Sequence, residues 1–224
     1  MRTLWRDNGA SGARIVALQS EVPDGDFSIE CTDRDKNQQR LVAAHWTWLR
    51  QVHGNTVLRV DAPGDHSGAE ADALVTNAVG AVLSVRTADC APVVLFSEGG
   101  AVGIAHAGWK GLAAGVLEAT VSELRSLCAG EVTAVLGPCI HSCCYEFGAA
   151  ELDLLSAHLG DAVVGTTRSG APALDLVAGV RAVLNGQGVE LRYVDDACTE
   201  DPQLFSHRLR QQSERMVTCI WIET

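Results

Sequence analysis

Apolar positions along the chain change their period several times. Residues 14–18, Arg-Ile-Val-Ala-Leu, form an apolar run of strand length. Over 37–49, Leu41, Val42, His45, Trp46, Trp48 and Leu49 recur at helical spacing, which predicts an amphipathic helix. A turn at His53-Gly54-Asn55 follows and leads into a β-branched strand, and residues 61–72 read as a polar loop rich in turn formers. Three short apolar runs come next, at 80–90, 91–97 and 101–107, with Ser97-Glu98-Gly99-Gly100 as a hairpin turn between the last two. Residues 109–128 return to helical period, with Leu112, Val116, Leu117, Thr120, Val121, Leu124, Leu127 and Cys128 on one face. A strand over 131–137 ends at Gly137-Pro138. Helices are predicted over 146–159 and 173–185, and strands over 189–195 and 215–222.

Strands come in groups, with helices between the groups. This is the pattern of an α+β fold, with mixed β-sheets covered by helices in a single-domain sandwich spanning 1–224. Strict strand-helix alternation is missing, and neither a G-x-G-x-x-G nor a P-loop motif occurs, which argues against a classical dinucleotide or nucleoside-triphosphate site.

Composition narrows the function classes. The 224 residues are 47% hydrophobic and 20% charged, which is ordinary globular material, and the net charge is −11. So acidic a chain, without a basic stripe, is not expected to bind nucleic acid or an anionic membrane, although a local cationic pocket for a small anion is compatible with it. No apolar run is long enough to span a bilayer and the N-terminus shows no secretory apolar stretch, so a cytoplasmic location is expected. Eight cysteines are present without a C-x-x-C pair, which favours reduced thiols or a metal site assembled from distant segments. Cys139, Cys143 and Cys144 form a C-x3-C-C pattern that is open to a metal-cluster reading but reads first as a loop carrying small buried thiols.

Seven histidines occur. His45 on a helix face and His158 near a helix end read as packing or surface residues, and His66 lies in a polar loop. His53 and His106 each lie where a strand meets a glycine-bearing turn, and Cys90 follows Asp89 at a strand end. Such junctions are where rigid scaffolds present functional groups. Two imidazoles and a thiolate with an open fourth position match a catalytic zinc, which would lower the pKa of a bound water to roughly 7. The same residues support a thiol hydrolase, with Cys90 as nucleophile, His106 as base and Asp89 or another acid orienting the imidazole. Their sequence separations fit no local metal-ligand motif, so spacing leaves both readings open. Gly108-Trp109-Lys110-Gly111 joins a strand to a helix and suits an anion such as phosphate. His207, Arg208 and Arg210 form either a surface loop or the cationic wall of a pocket.

Taken together, the segments QVHGNTV, ADALVT, RTADCAPVVLF, AHAGWKGLAAGVLE, LGPCIHSCCYEFG, LDL and CTEDPQLFSHR resemble the YfiH/laccase-domain family, over roughly residues 45–222 and most specifically 51–146. The resemblance implies that His53, Cys90 and His106 bind one zinc ion. It also implies a sandwich distantly similar to the cysteine-hydrolase domain of cytotoxic necrotizing factor. The implied activity is on purine nucleosides: phosphorolysis of adenosine, inosine and methylthioadenosine, and deamination of adenosine. Cys90 and His106 would be catalytic, with Asp89, which adjoins Cys90, as a candidate proton carrier. Gln51, Lys110 and Arg208 would contact the nucleoside and phosphate. Other readings attached to the family are a cysteine-type hydrolase that edits peptidoglycan precursors, a non-enzymatic partner of the cell-wall machinery, and copper-dependent phenol oxidation. Chemistry disfavours the last, since a multicopper oxidase needs about ten ligands arranged around several coppers. The chain departs from the family pattern in having Lys110 for arginine, His207-Arg208-Leu209 for aromatic-Arg-Arg, and Glu21–Ser28 for a glycine-rich loop.

Overall fold

The computed structural model describes residues 1–8 and 14–223. Among these, two sheets face each other across a shared apolar layer. The first orders its strands as β1 (Arg2–Asn8), β2 (Arg14–Gln19), β13 (Met216–Glu223), β6 (Val82–Thr87) and β3 (Trp46–Trp48). The second runs β12 (Glu190–Val194), β9 (Val132–Leu136), β7 (Ala91–Ser97), β8 (Val102–Ala107), β5 (Ala73–Thr76) and β4 (Val57–Arg59). Both sheets mix parallel and antiparallel pairs, as expected for α+β. A hairpin of β10 (Val164–Thr166) and β11 (Pro172–Leu174) stands apart.

The apolar runs at 82–107 lack alternation because they are covered on both faces. Every residue of β6, β7 and β8 is buried. Successive side chains therefore sort between two apolar layers instead of between core and water. On β7, Val94 and Phe96 enter the layer between the sheets, with Leu74, Leu83, Val85 and Ile104. Val93 and Leu95 point the other way, against α2 (Trp109–Ala113), α3 (Val116–Leu127), α4 (Ala149–Leu159) and α5 (Leu176–Gly186). The outer face of the first sheet is closed by Phe27, Trp46 and the end of α1 (Arg34–Leu41).

Several elements differ from the sequence-based expectation. The helix expected over 37–49 is α1 over 34–41 followed by β3, and His45 lies exposed between them. Trp46, Thr47 and Trp48 pair in parallel with Val82, Leu83 and Ser84. Aromatic and β-branched residues fit that half-buried ladder, and their helical spacing was coincidental. The helix expected over 109–128 is broken by Gly115, whose φ of +84° suits glycine. In the segment 173–185, Asp175 accepts the backbone N–H of Ala178 at 2.8 Å and caps α5, so the residues before it form β11. The helix expected from 146 starts at Ala149. The polar-looking N-terminus supplies β1, which inserts Leu4 into the core and stacks Trp5 on Phe96 at 5.0 Å.

This layout places three loop ends at one seam. The chain leaves the first sheet at Thr87 and enters the second at Ala91, so Asp89 and Cys90 sit where the sheets meet. The β7–β8 register pairs Pro92 with His106 and Ala91 with Ala107, which brings Gly108 across from Cys90. Because Leu83 is fully buried between the sheets, Leu83→Ala is expected to lower unfolding free energy by about 2–5 kcal/mol in urea titration, with the slope unchanged.

Candidate metal and catalytic site

His53, Cys90 and His106 converge. Their donor atoms all lie within 4.8 Å of one another, and Cys90 Sγ is 3.9 Å from His53 Nε2. The two imidazoles meet edge to face, with ring centroids 4.7 Å apart. For metal bonds of roughly 2.0–2.3 Å, tetrahedral geometry puts N and S donors about 3.3–3.8 Å apart, so a small closure suffices to seat an ion. His106 is buried, Cys90 half-buried and His53 exposed, which gives the group one solvent-facing side. Burial alone would push the Cys90 thiol up. The charge and hydrogen bond of His106, together with His53, outweigh it and bring the thiol down to about 6. Burial works against protonation of His106 too, but Cys90 and Asp72 raise it to about 9.

Two backbone features permit this approach. A Cβ on Gly108 would lie 2.9 Å from Cys90 Sγ and 3.1 Å from His53 Cδ2, so any larger residue would intrude on the triad. His53 and Asp89 both have positive φ, at 60° and 97°. Such conformations cost a non-glycine residue roughly 1–3 kcal/mol and persist where surrounding bonds enforce them.

For His53 the enforcing group is Asp72. Its Oδ1 accepts the His53 N–H at 2.9 Å, and Oδ2 accepts those of Gly54 at 2.7 Å and Val52 at 3.2 Å. Oδ1 also lies 2.9 Å from His106 Nδ1, and the side chain is wholly buried. Nδ1–H donates to Asp72, so Nε2 is the nitrogen turned toward Cys90, and it serves as a ligand or base once it has given up its own proton. Sequence reasoning placed Asp72 at the end of a polar loop and missed its role. An acid at the head of the apolar run Ala-Leu-Val was the available signal.

Gln51, Asp89, Lys110, His207 and Arg208 line a cavity of about 670 Å³ together with the triad, whereas Arg210 does not and instead donates to the Thr199 and Leu204 carbonyls; Arg86, Arg215 and Tyr145, which sequence reasoning missed, line the cavity too. Gln51 has both ends of its amide on the Arg86 backbone, donating to the carbonyl at 2.7 Å and accepting from the N–H at 2.8 Å. Lys110 is exposed, its ammonium 5.4 Å from the Trp109 ring. Arg208 lies 4.8 Å over the Tyr145 ring and donates to the Glu146 carbonyl at 2.9 Å. Asp89 has no free carboxylate oxygen. Oδ1 accepts the hydroxyls of Thr199 and Ser206 at 2.7 and 2.6 Å, and Oδ2 accepts the Arg208 N–H at 2.6 Å. His66 and His158 do not line this cavity.

An asparagine at position 72 could accept at one oxygen only and would turn an NH2 group toward N–H donors. Asp72→Asn is therefore expected to cost about 2–4 kcal/mol of stability in denaturant titration, and to weaken metal binding at the triad by about 10–100-fold in competition with a chelating dye.

Comparison with known proteins agrees with this architecture. A family model described as multi-copper polyphenol oxidoreductase laccase matches residues 4–223. A Streptomyces griseus protein named as a purine nucleoside phosphorylase is 39% identical over 192 residues, covering 82% of this chain and 76% of its own length. The Shigella flexneri purine nucleoside phosphorylase YfiH is 36% identical over 197 residues, covering 84% and 80%. The crystal structure of a Neisseria meningitidis protein of the family DUF152 superposes with a TM-score of 0.82 at 26% identity, covering all of both chains. With its fold, its length and its sequence all matching, the chain belongs to the YfiH-containing family described as multi-copper polyphenol oxidoreductase laccase.

Proposed function

We propose that the protein is a purine nucleoside phosphorylase acting on adenosine, inosine and methylthioadenosine, with adenosine deamination at the same centre, and that its metal is zinc held by His53, Cys90 and His106. The carrying observation is the convergence of those three donors in the lining of a cavity that also presents Arg208 and Lys110. The names of the relatives support the substrate class. A bound zinc ion would keep Cys90 as the thiolate and supply a Lewis acid facing the cavity. We place this single-domain enzyme in the cytoplasm, in keeping with eight unpaired cysteines.

In phosphorolysis an oxygen of hydrogen phosphate bonds to the anomeric carbon of the ribose, the glycosidic C–N bond breaks with its electron pair going to the purine, and the proton that the phosphate gives up ends on the purine ring nitrogen. The chain's own contributions follow from placement. Arg208 and Lys110 attract and hold the phosphate, Arg208 as a fork and Lys110 as a mobile point charge. Trp109 offers the purine an aromatic surface on the cavity wall. Gln51 props the Arg86 backbone beside the nucleoside. Asp89, whose oxygens are all engaged, acts as a positioning residue by fixing the Arg208 backbone. Asp72 fixes the tautomer of His106, whose Nε2 faces Cys90 and the cavity.

A second reading draws on one geometric point. Cys90, His106 and Asp72 stand in the order of nucleophile, base and orienting carboxylate, which is what a cysteine hydrolase acting on peptidoglycan precursors would need.

With inosine, the purified protein is expected to release hypoxanthine and ribose 1-phosphate only when phosphate is present, and ammonia release from adenosine reports the deamination. Cys90→Ala should lower kcat/KM by at least about 100-fold, and a chelator should abolish activity that zinc restores. Arg208→Ala should raise KM for phosphate by about tenfold, the equivalent of one charge-assisted hydrogen bond. Nucleoside turnover that survives metal removal would sink the zinc reading, and chelator-insensitive release of an amino acid from a muropeptide precursor would favour the hydrolase.

A further inference from the structure

A second set of ligating side chains gathers behind the cavity wall. Cys143 and Cys144 lie on a short helical turn, Ser142–Cys144, and Cys198 and Glu200 lie on a segment that a backbone bridge between Cys139 and Cys198 holds alongside. Cys143 Sγ is 3.9 Å from Cys198 Sγ and 3.2 Å from Cys144 Sγ, and Cys144 Sγ is 3.3 Å from Glu200 Oε2. All four donor atoms lie within 4.8 Å of one another, and the thiols are unpaired. Tetrahedral zinc with Zn–S and Zn–O bonds of about 2.3 and 2.0–2.2 Å needs S···S separations near 3.8 Å and S···O separations near 3.5 Å.

The surroundings fit an ion-bearing thiolate cluster. The His141 N–H points at Cys198 Sγ across 3.4 Å, a bond that a metal-bound thiolate accepts well. Arg168 forms a salt bridge to Glu200 and approaches Cys144 Sγ at 3.9 Å, so a cation already stands where three thiolates and a carboxylate would leave net negative charge. The sequence showed three thiols in a loop. It did not show that Cys198 and Glu200, more than fifty residues on, complete a four-donor set.

We propose that Cys143, Cys144, Cys198 and Glu200 bind a second divalent metal, zinc by preference, as a closed structural site. The three thiols each release a proton to solvent and donate a sulfur lone pair, Glu200 donates one carboxylate oxygen, and no electron is transferred. Four protein donors leave no open position, so this ion does no chemistry. It ties the loop that carries Tyr145 to the segment that carries Thr199, Ser206 and Arg208. Thr199, Ser206 and the Arg208 backbone all bind Asp89, the neighbour of Cys90. The ion therefore braces the cavity wall that the triad faces.

The test uses the whole chain, purified reduced and loaded with cobalt(II) in place of zinc. Cys90→Ser removes the triad's thiolate, so any thiolate-to-cobalt charge-transfer absorption that remains comes from the second cluster, whatever the fate of the proposed activity. The expected result is that Cys90→Ser keeps that absorption and loses it when Cys198→Ser is added. Loaded with zinc, Glu200→Gln, altered at an exposed side chain, should hold its cluster ion at least about tenfold more weakly against a chelating dye. A Cys90→Ser protein with no thiolate-to-cobalt band, or cluster thiols that resist alkylation until reduced because they form a disulfide, would overturn the proposal.

Discussion

One buried carboxylate organises the site. Asp72 receives three successive backbone N–H groups from the 52–54 turn and faces the His106 imidazole, while its own carbonyl accepts the His106 N–H at 2.8 Å. Burial by itself would favour the protonated acid. The bond to His106 and those from Gly54 and His53 overcome it and hold the acid below its usual range. The carboxylate is thus paid for by four donors that water would otherwise have to satisfy. The same bonds impose the left-handed conformation of His53 and choose which nitrogen of His106 faces Cys90. Two of the three converging donor side chains are therefore aimed by a residue that is not one of them.

The third is aimed by topology. Cys90 sits where the chain passes from one sheet to the other, and the hairpin register sets Gly108 opposite it. This half of the site was legible in the sequence, because a continuous apolar run, a glycine-containing turn and a second run announce a buried hairpin with Cys90 and His106 at its open end. The sandwich was legible for the same reason. Asp72 was not, since an acid closing a polar, turn-rich segment looks like surface until β5 and β8 pair around it. Nor was β3, whose Trp46 and Trp48 fit a helical stripe as well as a ladder. Only the pairing partner, β6, decides between the two, and that information lies some forty residues away.

The distribution of ligating groups bears on the family's description as a multicopper oxidase. Among the described residues, two groups are close enough to share an ion: two imidazoles with one thiol, and three thiols with one carboxylate. Electron transfer between several coppers needs imidazole-rich clusters in close succession. Of these two groups only one contains imidazoles, and it has a solvent-facing side; the other offers thiols and a carboxylate alone. With a metal bound, a solvent-facing triad beside the cavity wall that carries Arg208 and Lys110 would suit the proposed movement of protons and anions.

That wall explains why Asp89 matters without requiring it to carry protons. Its two oxygens take three hydrogen bonds from a segment more than a hundred residues distant in sequence, and its positive φ turns the backbone so that Cys90 follows at the seam. Its Oδ1 takes the Thr199 and Ser206 hydroxyls and its Oδ2 the Arg208 N–H, so the carboxylate ties down the segment whose Arg208 stacks on Tyr145. Asp89 thus does for the wall that carries Arg208 what Asp72 does for the imidazoles. Both acids convert chain segments that are far apart in sequence into fixed neighbours, and Cys90 lies between the two sets of bonds they make.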